Sequence, residues 1–189
     1  MIDRDSCGYE PRRPFTKKGK VNQRAKRIEW EHLIPAENFD RQFSCWREGD
    51  ERCVKSNGKF YKGRRCCEKV NKKYKIMQAD MHNLFPAVGE LNGDRSNFRF
   101  NFDIAQPERY GECKFSVDFK AKRVKVKEDI RGIIARDYLY FNKQYNMKLS
   151  KQELRKYKAW NKSYPADEWE KERNKRITKK QGNANPFIY

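Results

Sequence analysis

An α+β fold of irregular outline, folded as a single domain over residues 1–189, is what this sequence predicts. Three observations point there. Apolar residues alternate with polar ones in several short runs of the first two thirds, which is the period of strands. In the last third they recur at intervals of three and four, the period of helices. Aromatic residues make up 14% of a chain that is only 37% hydrophobic, so a few large side chains must supply the core. That aromatic content also sets the chain apart from disordered ones of similar charge.

Residues 1–26 are polar and basic with two prolines, and read as an irregular arm. Residues 27–34 alternate in part through Ile28, Trp30 and Ile34, which favours a strand that Pro35 ends. Residues 36–48 suit a short helix with Phe39, Phe43 and Trp46 on one side. Residues 49–73 form a charged, cysteine-rich loop with Asn57-Gly58 and Gly63, long enough to need cross-links or a ligand to order it. An apolar segment covers 74–91, and Asn92-Gly93 then reads locally as a hairpin turn. Residues 97–102 alternate as a strand, and so do 113–126, with a bend over 120–123. Ile130, Ile133, Ile134, Tyr138 and Phe141 fall on helical spacing within 129–145. Ser150 with Glu153 makes a capping box that opens a helix carrying Leu154, Tyr157 and Trp160. A last helix over about 165–177 starts at Pro165, and 182–187 are irregular. By this reading 27–128 is mainly strands and loops, and 129–189 mainly helical.

The formal charge is +19, from 45 Lys and Arg against 26 Asp and Glu, and the pI is near 9.7. Such a balance is the footprint of a protein that meets phosphate backbones. Mean hydropathy is −1.19, and no run approaches the roughly 18 apolar residues of a spanning helix. The six cysteines are Cys7, Cys45, Cys53, Cys66, Cys67 and Cys113. They allow three disulfides in fifteen connectivities, free thiols, or a zinc site that their spacing does little to support.

Only two histidines occur, and one of them, His32, follows Glu31 directly. A histidine near neutrality can take a proton from water, and a carboxylate can hold a hard cation such as Mg²⁺. On a basic chain, the pair suggests metal-assisted cleavage of a phosphodiester. Neighbouring strand residues face opposite sides, so the pair requires the strand to stop or bulge near residue 31.

The segment Arg27-Ile28-Glu29-Trp30-Glu31-His32, with Asp80-Met81-His82-Asn83-Leu84-Phe85-Pro86-Ala87-Val88-Gly89-Glu90-Leu91-Asn92-Gly93-Asp94-Arg95-Ser96-Asn97, resembles the bacterial endonuclease I family. These are exported, nonspecific nucleases with a ββα-metal active site. Arg136-Asp137-Tyr138-Leu139-Tyr140, Ala159-Trp160-Asn161-Lys162-Ser163-Tyr164-Pro165 and Gln181-Gly182-Asn183-Ala184-Asn185-Pro186-Phe187 are similar to the same family, so the resemblance spans about residues 6–187.

The resemblance implies a disulfide-stapled fold that contains a ββα-metal motif. It makes His32 the general base, Glu31 and Asn92 the ligands of one Mg²⁺ (Mn²⁺ or Ca²⁺ can fill the same place), and Arg64 the phosphate-binding arginine. Arg65 is the neighbouring alternative to Arg64, and Arg95 a further candidate for substrate contact. The family places Asn92 on a helix beginning near Pro86, against the local hairpin signal. Gln78 stands where relatives often carry glutamate, at a position that orients the base. Relatives are longer at the N-terminus and have extra cysteines there, which leaves Cys7 without its usual partner. The function implied is sequence-nonspecific cleavage of DNA and also RNA through backbone contacts, by a monomer exported to the periplasm or beyond. The alternative is a basic nucleic-acid-binding protein without catalysis, which leaves the grouping of Glu31, His32 and Asn92 unexplained. His82 is expected to be structural.

Overall fold

The computed structural model describes residues 7–101, 104 and 109–189. The chain forms two compact units, one from 1–31 with 85–131 and the other from 32–84 with 132–189. Helices and strands are mixed in an α+β arrangement, and all six cysteines are paired.

In the first unit, Phe15 and Val21 bridge a short basic hairpin, and a 3₁₀ turn, Gln23–Lys26, follows. Strand β1, Ile28–His32, pairs with β2, Leu84–Val88, and both run on into the second unit by one residue. The Gly89 N–H reaches the Arg27 carbonyl at one end of the pair, and the Leu33 N–H reaches Asn83 at the other, which is antiparallel register. Helix α5, Gly89–Arg95, starts at the residue after β2. A three-stranded sheet completes the unit: β3 (Arg99–Phe100), β4 (Ser116–Asp118) and β5 (Arg123–Lys125), in the order β3-β5-β4. Its core is Tyr9, Phe100, Tyr110, Phe115, Val117 and Val124.

α5 is clasped from its flank. Glu90 accepts from the Tyr9 hydroxyl at 2.8 Å and from the Arg12 and Arg13 N–H groups at 2.9 and 3.0 Å. Asp94 accepts from the Arg12 and Arg13 guanidiniums at 2.7 and 2.6 Å and from the Tyr110 hydroxyl at 2.8 Å. The Cys7–Cys113 disulfide ties the start of the clasping segment to the chain next to Tyr110. Cys7 therefore has a partner within this chain, contrary to the expectation from the relatives.

The second unit holds α1 (Ala36–Asp40), α2 (Ser44–Arg47), α3 (Arg64–Val70), α4 (Lys72–Ala79), all but the first residue of α6 (Arg131–Tyr145), α7 (Lys151–Ser163) and α8 (Glu168–Gln181). Its core is aromatic: Phe39, Tyr74, Tyr140 and Phe141 are all but fully buried, and Phe39 meets Phe141 at 5.4 Å. Asp80 gathers the hydroxyls of Tyr140 and Tyr145 at 2.6 and 2.5 Å and the Gln181 amide at 2.9 Å. A buried fork joins Arg136 to Glu170, with both contacts at 2.6 Å.

Several expectations change. The single helix over 36–48 is two, α1 and α2. The loop 49–73 contains α3, whose adjacent Cys66 and Cys67 bond to Cys53 and Cys45. Among its described residues the range 27–128 therefore includes five short α-helices, α1 to α5. Of the strand over 97–102 only β3 forms, and Phe102 lies outside the described residues. The helix expected to begin near Pro86 is α5, which begins at Gly89, three residues after Pro86, itself in β2. α8 begins at Glu168, because the Asp167 side chain caps it by accepting the Glu170 N–H at 2.7 Å. α6 and the capping box of α7 form as expected.

Candidate active site

Glu29 and Glu31 share one side of β1 by the two-residue period, and Asn92 and Arg95 share one side of α5 by the three-residue spacing. The two pairs interlock. The Asn92 amide donates to Glu29 at 3.0 Å, and the Arg95 guanidinium donates to Glu31 at 2.6 Å. A carboxylate only accepts, so the Asn92 nitrogen faces Glu29 and its Oδ1 is turned away from that carboxylate. Arg24, aided by Arg27, holds the Glu29 carboxyl below the usual range and keeps it an acceptor. Arg95, a candidate for substrate contact that also reads as a brace of the motif, is buried and lies 4.5 Å over the Phe100 ring. Its geometry is that of a brace for Glu31.

Close approach explains the two glycines of α5. A Cβ on Gly89 would meet the Arg24 carbonyl at 2.6 Å, and one on Gly93 would meet the Arg24 guanidinium at 2.6 Å. At Gly89 the contact is with main chain and leaves no room for a side chain, while at Gly93 a side chain would displace the end of Arg24, so the glycine of Asn92-Gly93 serves close approach within a helix although the pair reads as a turn.

The second unit holds His32 and Gln78. His32 Nε2–H donates to the main-chain carbonyl of Gln78 at 2.7 Å. That carbonyl belongs to the last turn of α4, where helix carbonyls lack an intrahelical partner, so the ring satisfies it. The tautomer this contact sets leaves Nδ1 as the proton acceptor of the ring. Buried Asn83 fixes the backbone after His32 by exchanging hydrogen bonds with Ile34 at 2.6 and 3.1 Å. β1 runs through residue 31 without stopping and ends at His32. Alternation sends Glu31 to Arg95 and His32 to Gln78, so each neighbour has its own anchor.

Arg64 opens α3 and is half exposed. Its Nε donates to Glu68 at 3.0 Å, and Nη2 lies 3.5 Å from the Gln78 side-chain oxygen. Arg65 is exposed, its guanidinium 5.8 Å over the Tyr61 ring. His82 is fully buried: its Nε2–H donates to the Asn183 carbonyl at 3.0 Å, and burial pushes its pKa down. It is structural, as expected.

Asp40 was not singled out by sequence. It ends α1 fully buried beside buried Tyr74, and burial pushes its carboxyl up to about 8 despite the pull of Arg64. In the unfolded chain the group titrates near 3.8. The folded state thus retains a proton that the unfolded state releases, and this costs stability as pH rises from about 4 to 8. Asp40→Asn is expected to be more stable than wild type at pH 9 by about 2–5 kcal/mol, with the gap closing toward pH 4. Urea melts at both pH values check this, and parallel behaviour of the two proteins would refute it.

Glu31 and Asn92 offer a carboxylate and an amide oxygen, a sparse hard donor set that suits an ion keeping several waters. Among the described residues, no cluster of three His, Cys, Asp or Glu side chains stands together, and every cysteine is in a disulfide, so the soft ligands of a structural zinc are missing. The described residues also hold no helix long and apolar enough to cross a membrane.

The family model for endonuclease I matches residues 2–189. The chain is 48% identical to an extracellular deoxyribonuclease of Aeromonas hydrophila, over 98% of this chain and 72% of that protein. It is 48% identical to a periplasmic deoxyribonuclease of the same organism, over 98% and 70%. It is 44% identical to Endonuclease-1 of Buchnera aphidicola subsp. Acyrthosiphon pisum (strain APS), over 97% and 65%. With the family model matched over residues 2–189 and these identities across nearly all of this chain, the chain belongs to the endonuclease I family.

Proposed function

We propose that this chain is a metal-dependent endonuclease that cuts DNA, and RNA as well, without regard to sequence. The observation that carries the reading is the Nε2–H bond of His32 to the Gln78 carbonyl, which sets the tautomer a general base needs. Nδ1 takes a proton from the attacking water, whose oxygen forms a bond to phosphorus as the bridging P–O bond breaks. Glu31 and Asn92 would hold one Mg²⁺. Glu29 orients the Asn92 amide, and Arg95 orients Glu31. The ion, when bound, supplies positive charge to the phosphate and the leaving oxygen. Arg64 binds a phosphate oxygen, with Arg65 beside it. Contacts of this kind read backbone and not base, which fits nonspecific cleavage. Three disulfides suit a protein that works in the periplasm or outside the cell.

Plasmid digestion tests the proposal. Mg²⁺ should allow nicking and then degradation, EDTA should stop it, and added Mg²⁺ should restore it. Digestion that is indifferent to EDTA would sink the metal assignment. Binding without cleavage under every metal would favour the non-catalytic alternative. RNA in the same assay should be degraded too.

The base is held by main chain, so the side chain at 78 should matter little. Gln78→Glu is expected to keep kcat within about threefold of wild type, under 1 kcal/mol in barrier. A hundredfold loss, measured by steady-state cleavage, would mean that the side chain and its 3.5 Å approach to Arg64 carry the role.

A further inference from the structure

α7 presents a face that neither cleavage nor packing explains. Lys151, Arg155, Lys158 and Lys162 are spaced four, three and four residues apart and are all exposed. At about 100° per residue they fall within roughly 60° of arc, a single narrow stripe. The opposite side of the helix is the packed one: Tyr157 is buried and stacks on Tyr138 at 4.4 Å, and Trp160 meets Tyr157 at 5.8 Å.

The stripe is of one sign. Glu153 is the only acid of α7, and it is held in the capping box by Ser150. Like charges at these spacings repel one another and weaken a helix, and surfaces that serve solubility intersperse both signs. α8 does so, pairing Arg176 with Glu172 at 2.7 Å and Lys171 with Glu168 at 3.3 Å. Among the described residues, none of the four stripe cations of α7 is paired with a carboxylate.

We propose that the outer face of α7 is a second polynucleotide-binding surface, gripping the phosphate backbone through these four cations. The stripe is about 16 Å long, with intervals of about 4.5–6 Å. A nucleic-acid strand presents one phosphate per about 3.4 Å of duplex axis, so the four side chains can meet three or four phosphates of one strand. Gln152, Ala159 and Ser163 border the stripe on one side and Leu154 and Asn161 on the other; Leu154, the one large apolar residue among them, is half-buried, so the stripe lacks the exposed apolar face that a helix lying on a membrane requires. The surface rests on the proposed nuclease reading for its purpose: it would hold a long substrate while bonds are cut elsewhere on it, and a substrate of a few nucleotides would not reach it.

The test replaces Lys151, Arg155, Lys158 and Lys162 together with glutamine, which changes exposed groups only. Binding of a 30-base-pair duplex is measured by anisotropy in EDTA, from 50 to 200 mM salt. The expected result is a Kd raised about 10–100-fold at 100 mM, with a salt slope shallower by roughly 3. KM for plasmid should rise alike, while turnover of a tetranucleotide stays at the wild-type value. A control with Lys17, Lys18, Lys20 and Lys55 changed to glutamine removes the same charge elsewhere. Equal loss in that control would reduce the effect to net charge and overturn the proposal. Unchanged Kd and slope in the α7 variant, or lost binding to anionic vesicles with DNA binding intact, would overturn it too. If wild type cuts nothing in Mg²⁺, the nuclease reading fails, while the Kd comparison still decides whether α7 binds the duplex.

Discussion

His32→Ala is expected to lower kcat by about 10²–10⁴-fold and to leave the Kd for duplex DNA within about twofold of wild type. The ring is held by its Nε2–H bond to the Gln78 carbonyl at 2.7 Å, and the Asn83 clamp fixes the residues that follow it. Alanine removes the proton acceptor and leaves Glu31, Asn92 and Arg64 with the partners they have now. The loss should therefore appear in the chemical step and not in binding. Single-turnover cleavage in Mg²⁺ and anisotropy in EDTA separate the two. A variant that cuts within tenfold of wild type would remove His32 from the role of base.

The second large effect concerns the Cys7–Cys113 bond, which spans 106 residues. In the chain-entropy account, a closed loop near that length restricts the unfolded chain by about 4.7 kcal/mol, against about 3 for a loop near 15 residues. The Cys53–Cys66 bond spans 13 and belongs to the shorter class. Changing Cys7 and Cys113 to alanine is expected to cost about 2–5 kcal/mol, more than the same change at Cys53 and Cys66. The effect should also reach Asn92, because the bond anchors the segment whose Tyr9, Arg12 and Arg13 clasp α5. Urea melts should show the larger loss for the longer loop, and the Mg²⁺ needed for half-maximal cleavage should rise. A melt matching that of wild type would show that the clasp holds without the bond.

Elements whose signals are local were legible in the sequence. α6 follows from its apolar spacing and α7 from Ser150 and Glu153, since helical period and caps are written in neighbouring residues. α3 was not, because it is held by pairings of Cys66 and Cys67 with residues 13 and 22 positions away, and no local pattern states a pairing. Asn92-Gly93 misleads for a similar reason: the glycine answers to Arg24 across the unit, not to a turn. In the site, Glu31 and His32 stood out by their own chemistry, and their separate roles, with Asn92 and Arg64, came from motifs that resemble a family. Glu29 was missed, although its two-residue step from Glu31 was visible. The part played by residue 78 belongs to a carbonyl that every residue type has, so its identity could not announce it. Asp40 had no signal, because only the fold decides which carboxylate is buried.

The adjacency of Cys66 and Cys67 has a consequence for anyone preparing this protein. If Cys45 took Cys66 and Cys53 took Cys67, every thiol would still be oxidised and the mass would be unchanged. Successive residues on a helix point about 100° apart, so the exchanged pairing would force α3 to roll by about that angle and swing Arg64, at its first turn, away from Gln78. Material refolded from a reduced state can then contain a topological twin, identical by weight and by thiol count but with Arg64, the arginine proposed to bind phosphate, misdirected. Peptide mapping between Cys66 and Cys67, which no common protease divides, becomes the quality control that matters most.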